Sequence, residues 1–372
     1  TYAPDTIIVP FGEVVHDRVM LEVMRGCLRG CRFCQAGYIY RPLRERKPET
    51  LLDLADKLLS CSGYDEISLS SLSTSDFSGL RELTDGLLKI TEKQKIGLSL
   101  PSLRIDNFSL ELMEKVQKVR KTGITFAPEA GTQRLRDVIN KNITEENIMK
   151  STSMLFAGGW TSVKLYFMIG LPTETEEDIR GIAELAQKVL DVYFAIPKEE
   201  RAKNINITVS TSSFVPKPFT AFQWESQDSR DMIIEKQDLL KHAITSKRIK
   251  YSWHDNKTST LEGIFARGDR RLCDVIIRAV EKGCKFDGWA EYFKYDLWME
   301  AFDELGINPD FYNLRKREYD EILPWDHIDI GVTKQFLINE NKKAYRAETT
   351  PHCREKCSGC GVGRFKAGVC CE

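Results

Sequence analysis

Long apolar runs are missing from this chain. The longest, LYFMIGLP at 165–172, covers eight residues, whereas a helix spanning a bilayer needs roughly 20. Charge of one sign is not in excess either, with 54 Lys and Arg against 55 Asp and Glu. The chain as a whole is therefore no polyanion binder, and any such contact must come from a local patch. The opening TYAPDTIIVPFGEVVHD shows no secretory signal pattern, and there is no low-complexity tract. Cysteine is too sparse for a disulfide scaffold, at 11 in 372 residues. From these absences a cytoplasmic location with no membrane partner is expected. The chain starts at Thr1 instead of Met, and we read it as a segment of a longer polypeptide or as a trimmed chain.

The few cysteines are concentrated. MRGCLRGCRFCQAG (24–37) carries Cys27, Cys31 and Cys34, and PHCREKCSGCG (351–361) carries Cys353, Cys357 and Cys360 at the same C-x3-C-x2-C spacing. In a chain without secretion signals, such clusters point to metal sites.

The rest of the pattern alternates. Strands are expected at 17–26, 65–73, 95–102, 122–131, 161–172 and 204–219. Helices are expected at 48–62, 76–90, 109–119, 144–159 and 175–193, with Pro48 suited to a first turn. Strict strand–helix alternation implies a parallel sheet with helices outside it. The chain is thus expected to be α/β, a partial (β/α)6 TIM-like barrel followed by a helical extension and a Cys-rich metal-binding tail. The divisions read as a lead-in (1–16), the barrel (17–245), the helical extension (246–345) and the tail (346–372). Active groups of such barrels lie at the C-terminal ends of the strands. The first cysteine loop, APEAG, GLPTET and FVPKPF all follow strands and so share one rim. Cys61, Cys273 and Cys284 fall in helical patterns and are expected to be buried small hydrophobes.

Three thiolates from one loop can hold three irons of a [4Fe–4S] cube, leaving the fourth iron open to a substrate. The alternative is a structural zinc knuckle. Zinc closes with four ligands, and the nearest further candidate, His16, is well upstream.

At this point the sequence resembles the radical SAM superfamily. The likeness rests on C-x3-C-x-aromatic-C, here Cys27, Cys31, Phe33 and Cys34, and extends over residues 17–225. It implies that the open iron chelates S-adenosylmethionine and that its reductive cleavage yields a 5′-deoxyadenosyl radical. A reductant such as flavodoxin or ferredoxin is implied with it. Phe33 would meet the adenine. SLSSLSTSD (68–76) takes the place of the family's glycine-rich motif, so Ser71, Ser73 and Thr74 or nearby carbonyls would receive the methionine amine. FAPEAGTQRLRDVINKNIT (126–144) resembles the methylthiotransferase and cobalamin-associated branches. There Glu129 would accept from the ribose hydroxyls and Arg134 would pair with the methionine carboxylate. GLPTETEED (170–178) would shape the adenine pocket with Gly170 and Pro172. Lys164, alone in an apolar strand, either snorkels or meets a carboxylate of cofactor or substrate.

HDNKTSTLEGIFARGDRRL (254–272) with the cysteine tail is similar to a less characterised radical SAM subgroup. His254, Glu262, Asp269, Arg270 and Arg271 are candidate substrate-side groups, and Lys217 is another. No D-x-H-x-x-G pattern is present, so bound cobalamin is not inferred. Cys353, Cys357 and Cys360, closed by Cys370 or Cys371, would hold a second [4Fe–4S] cluster, with zinc as the alternative. Seven basic residues, Arg25, Arg29, Arg32, Arg41, Arg44, Arg46 and Lys47, crowd 25–47 against Glu45 alone. They suit RNA, or else offset the charge of a thiolate cluster. The expected activity is C–H functionalisation, methylthiolation of RNA or of a ribosomal protein in one reading. The alternatives are a peptide or small metabolite as substrate, or a non-catalytic iron–sulfur or zinc protein of the translation machinery.

Overall fold

The computed structural model describes residues 3–101, 104–107 and 124–369. Among these residues, parallel pairing builds two sheets. The first has the order β1–β4–β5, from Val19–Glu22, Glu66–Ser70 and Gly97–Ser99. The second has the order β6–β7–β8–β9, from Ile124–Glu129, Ser162–Ile169, Asn206–Ser213 and Ile249–Trp253. A small antiparallel pair, β2 (Met24–Arg25) with β3 (Arg44–Glu45), brackets the first cysteine loop. The chain is an α/β fold with parallel sheets.

Helices between the strands form where the sequence signals them. α1 (Gln35–Ile39) starts directly after Cys34. α2 (Pro48–Ser62) has Pro at its first turn and ends on Gly63 at φ 71°, a left-handed stop that glycine adopts freely. α3 (Leu80–Gln94) follows, and α4 (Gln133–Val138) is capped by Thr132. In α5 (Glu145–Ala157), Thr144 and Asn147 cap each other reciprocally. α6 (Glu176–Ala195) and α7 (Arg230–Ala243) complete the outer layer of the second sheet. The helix expected at 109–119 lies outside the described residues.

Strand alternation assigns the two faces opposite chemistry. Val163, Leu165, Phe167 and Ile169 of β7 join Ile207 and Val209 of β8 in one buried cluster with Ile148, Ile182, Leu185 and Ile233 of the helices. In the first sheet, Val19, Leu21, Ile67 and Leu69 pack with Leu51, Leu83 and Leu87. The opposite face is mostly polar: by register it carries Ser68, Ser70 and Ser99 beside Met20 in one sheet, and Lys164, Tyr166, Thr208, Ser210 and Ser212 beside Met168 in the other. A barrel filled with apolar side chains would need this face apolar as well, since the other already packs on the helices.

Three expectations change. First, β9 at 249–253 lies inside the stretch read as helical from 246, yet it pairs in parallel with β8, Ile207 against Ile249 through Thr211 against Trp253. It has five residues and four of them are not buried, so its apolar signal is faint. Second, the expected strands run long; 161–172, for example, shortens to Ser162–Ile169, because ladder hydrogen bonds and not apolar content set the ends. Third, Cys61 and Cys273 are exposed while Cys284 is buried. The apolar stripe of α2 runs through Leu51, Leu54, Ala55, Leu58 and Leu59 and leaves Cys61 on the other side.

Beyond β9, α8 (Asn256–Ala266), α9 (Leu272–Glu281), α10 (Tyr295–Glu304) and α11 (Asp310–Asn313) share a core of Ile264, Val275, Trp298, Phe302 and Tyr312. α12 (Lys334–Ala344) instead contributes Phe336 and Leu337 to a cluster containing Tyr38, Trp224 and Cys360. The tail then returns to the first cysteine loop. Cys353 N–H donates to Leu28 O at 3.1 Å and Val369 N–H to Leu43 O at 2.7 Å. No helix among the described residues is long and apolar enough to cross a membrane.

Candidate metal centre

The first cysteine loop leaves β2 through Gly26 at φ 85°, where an added Cβ would sit 2.5 Å from Tyr40 O and 2.8 Å from Pro42 O. Only glycine fits this turn. The loop closes with Cys34 N–H on Cys31 O at 3.1 Å, and Cys34 is the N-cap of α1.

Arginines hold the loop from behind. Arg29 is buried and donates to Asp76 at 2.9 and 2.5 Å, with Asp106 3.3 Å away. Arg32, fully buried, reaches Glu340 at 3.1 Å and the carbonyls of Val138 at 2.9 Å and Glu348 at 2.6 Å. Arg41 donates to Gly37 O at 3.0 Å and Arg29 O at 2.9 Å. Asn140 adds a bond to Gly30 O at 3.0 Å. Three of the seven basic residues counted in the sequence therefore point inward as braces. Arg25 and Arg46 are paired with Glu22.

The same burial acts on the thiols. Burial, reinforced by neighbouring Cys31, pushes the Cys27 thiol up to about 12, and it raises the Cys34 thiol as well. Such thiols stay protonated at neutral pH unless a metal displaces the proton. Among the described residues no group of three or more His, Cys, Asp or Glu is placed to hold a single metal ion. A cube gives each thiolate its own iron, so its ligands stand farther apart than those of one tetrahedral zinc.

Beside Cys34 lie residues from the end of β6. Glu129 has a left-handed backbone, φ 69°, which is uncommon outside glycine and is kept where the surroundings enforce it. Its carboxylate accepts from Lys141 Nζ at 3.1 Å, and that ammonium is 6.0 Å from the centre of the Phe33 ring. Cys34, Phe33, Glu129 and Lys141 thus share one corner. Lys141 was invisible as a site residue in the sequence, because it sits in a turn with no periodicity to single it out.

The serine stretch lies at the ends of β1 and β4. Ser70 and Ser71 help line a cavity of about 480 Å³ with Glu22, Arg25 and Tyr40. Ser71 Oγ is 2.9 Å from Thr74 Oγ1, and Ser73 donates to Asp76 at 2.6 Å, so Ser73 also supports the Arg29 brace. Arg134 lies apart from that corner in its bonding: it donates to Thr173 Oγ1 at 3.1 Å and pairs with Asp178 at the start of α6. Asp178, buried but surrounded by the donors Thr132, Thr175 and Arg134, is held below the usual carboxylate range. Gly170 at φ 85° donates to Glu174 at 2.7 Å, just before Pro172. Lys164 stands on the polar face with its ammonium 4.5 Å from the Tyr166 ring centre. Lys217 pairs with Glu262 and Asp269 with Arg271, so four of the candidate substrate-side groups are engaged with one another.

Cys353, Cys357 and Cys360 line a cavity of about 330 Å³ together with Cys27, Arg41 and Leu43. Nothing in the sequence placed the two cysteine groups together. Cys370 and Cys371 lie outside the described residues.

Residues 21–186 match the family described as Radical SAM superfamily. An uncharacterized protein of Methanocaldococcus jannaschii is 34% identical over 288 residues, which are 77% of this chain and 60% of that protein. The threonylcarbamoyladenosine tRNA methylthiotransferase MtaB of Aquifex aeolicus is 24% identical over 278 residues, 72% of this chain and 63% of that protein. The chain thus spans less than two thirds of either relative. Among solved structures, the radical S-adenosylmethionine methyltransferase TsrM from Kitasatospora setae aligns at a TM-score of 0.40 with 13% identity, over 55% of this chain and 37% of that one.

Proposed function

We propose that this chain, whose residues 21–186 match the Radical SAM superfamily, works as a radical S-adenosylmethionine enzyme at the rim formed by the strand ends. The observation that carries this reading is the braced loop of Cys27, Cys31 and Cys34 with Phe33, Glu129 and Lys141 beside it. A [4Fe–4S] cluster on those thiolates, with S-adenosylmethionine, would supply reductive cleavage of the sulfonium and a 5′-deoxyadenosyl radical that takes hydrogen from substrate. The chain's own residues do the positioning. Phe33 offers a face for the adenine, Glu129 accepts from ribose hydroxyls, and Lys141 offers a cation within reach of the same corner. The cavity at Ser70 and Ser71 offers hydroxyls and carbonyls for an ammonium. The polar inner strand face, with Lys164 and Tyr166, is where a hydrophilic substrate lies. The electron comes from a reductant such as flavodoxin or ferredoxin.

For the reaction outcome, we favour methylthiolation of RNA or a ribosomal protein, supported by the tRNA methylthiotransferase relative. The inward turn of Arg29, Arg32 and Arg41 thins the basic rim and favours, as second reading, a peptide or small metabolite. The tail cysteines serve as a further metal site, iron–sulfur or zinc.

The test is anaerobic reconstitution with dithionite and S-adenosylmethionine. 5′-Deoxyadenosine is expected from the full chain and none from Cys31→Ala; its absence from both would leave a non-catalytic metal protein. Nucleosides and ribosomal proteins from a deletion strain then separate the two substrate readings: methylthiolation requires loss of a mass increment of about 46 Da, the replacement of H by SCH3.

A further inference from the structure

One buried charge near the metal centre lacks an anion. Arg41 is 6% exposed, and among the described residues it forms no ion pair. Two of its nitrogens are used by Gly37 O and Arg29 O, while Nη1 is buried without a hydrogen-bond partner. Its guanidinium carbon lies 4.8 Å from the Tyr38 ring centre and 5.9 Å from that of Phe336. Aromatic faces soften the cost of burying a cation but do not neutralise it. Other buried arginines of the loop are neutralised: Arg29 has Asp76 and Arg32 has Glu340.

What Arg41 does face is the cavity of Cys353, Cys357 and Cys360. Burial works against its charge, and a guanidinium keeps its proton even so. The cavity is braced independently of any metal, by Cys353 N–H on Leu28 O, Thr333 N–H on Cys360 O at 3.0 Å, and Val369 N–H on Leu43 O. Three cysteines, a cavity of about 330 Å³ and an unused N–H donor thus converge on one place. Zinc on three or four thiolates and an iron–sulfur cluster would both be anionic, so the cation suits either. The polynuclear group is favoured because, among the described residues, no three His, Cys, Asp or Glu side chains are placed around a single ion, whereas a cube gives each thiolate its own iron.

We propose that Cys353, Cys357 and Cys360 hold a second iron–sulfur cluster in this cavity, back to back with the first cysteine loop, and that Arg41 is its buried counter-cation and hydrogen-bond donor. Arg41 is a positioning residue, which acts on the cluster's electronics and contacts no substrate. This rests on the metal-site reading of the tail given above, and it adds the identity of the metal group and the residue that tunes it. A cation beside a cluster stabilises the reduced, more negative state, so removing it lowers the reduction potential.

The experiment uses the full chain, reconstituted anaerobically with iron and sulfide. The triple variant Cys27→Ala/Cys31→Ala/Cys34→Ala isolates the tail. It is expected to retain about four irons with matching sulfide; zinc or no metal there overturns the proposal. In that background, potentiometric titration followed by electron paramagnetic resonance compares Arg41, Arg41→Lys and Arg41→Gln. A lowered potential in Arg41→Gln with partial recovery in Arg41→Lys is expected. Loss of the tail metal in Arg41→Gln alone, in a chain whose circular dichroism is unchanged, supports the same role. Unchanged potentials in both variants overturn it. Formation of 5′-deoxyadenosine by the unaltered protein reports separately on the first loop, so either reading can fail without the other.

Discussion

Replacing Arg32 with methionine removes a guanidinium from a place that water does not reach. Arg32 is fully buried and Glu340 is 1% exposed; they meet at 3.1 and 3.2 Å. Breaking a buried pair from one side costs about 3–5 kcal/mol. Glu340 keeps Lys343 and Thr350, each at 2.8 Å, so the low end applies. The carbonyls of Asp137, Val138 and Glu348 also lose a donor, which adds about 1 kcal/mol or more. The expected loss is therefore about 4 kcal/mol. With an unfolding entropy of about 2.1 cal/mol/K per residue, a 372-residue chain should melt about 5 °C lower. Thermal melting of the metal-free chain measures this. The bonds of Arg32 tie the stretch between Cys31 and Cys34 to α4, α12 and the tail, so reconstituted iron should fall as well. The double variant Arg32→Met/Glu340→Leu should regain most of the ion-pair share, since an apolar pair of similar volume tolerates that burial. A single variant that melts within about 1 °C of the parent and binds iron normally would refute the bracing argument.

Other outcomes follow from the same geometry. In the metal-free chain, Cys27 should resist iodoacetamide at pH 8 and react as pH approaches the value of about 12 to which burial pushes it. A thiol with a raised folded pKa contributes stability below its unfolded value near 9, lost as pH climbs toward 12, so the metal-free melt should drop across that window. Lys141→Met should weaken S-adenosylmethionine binding about 10-fold by freeing Glu129 from its partner at 3.1 Å, equivalent to about 1.4 kcal/mol; calorimetric titration on the reconstituted chain reads it. Gly26→Ala, at φ 85° with Tyr40 O 2.5 Å from the new carbon, should cost about 2–4 kcal/mol and displace the cysteine loop, visible as lost iron together with a lowered melt.

Much of this was legible in linear order. Thiol spacing is a local property, so Cys27, Cys31 and Cys34 announce a metal loop without any fold. Helix caps such as Thr144 with Asn147 are equally local, and alternation announced β1, β4, β6, β7 and β8. β9 was not legible, because five residues with one buried position carry little pattern, and the partner strand β8 decides their state.

The sequence by itself determined the parallel α/β alternation and the chemistry of the first loop, since both depend on neighbours a few residues apart. Tertiary structure alone decided which charges face inward. Arg29, Arg32 and Arg41 look like a basic surface in the chain, but their partners Asp76, Glu340 and the tail cavity lie 47 and 308 residues away or further along the tail. It also decided that the two cysteine groups meet, through backbone bonds that any residue could make. Side-chain identity does not encode a peptide hydrogen bond, so this meeting appears only once the chain has folded.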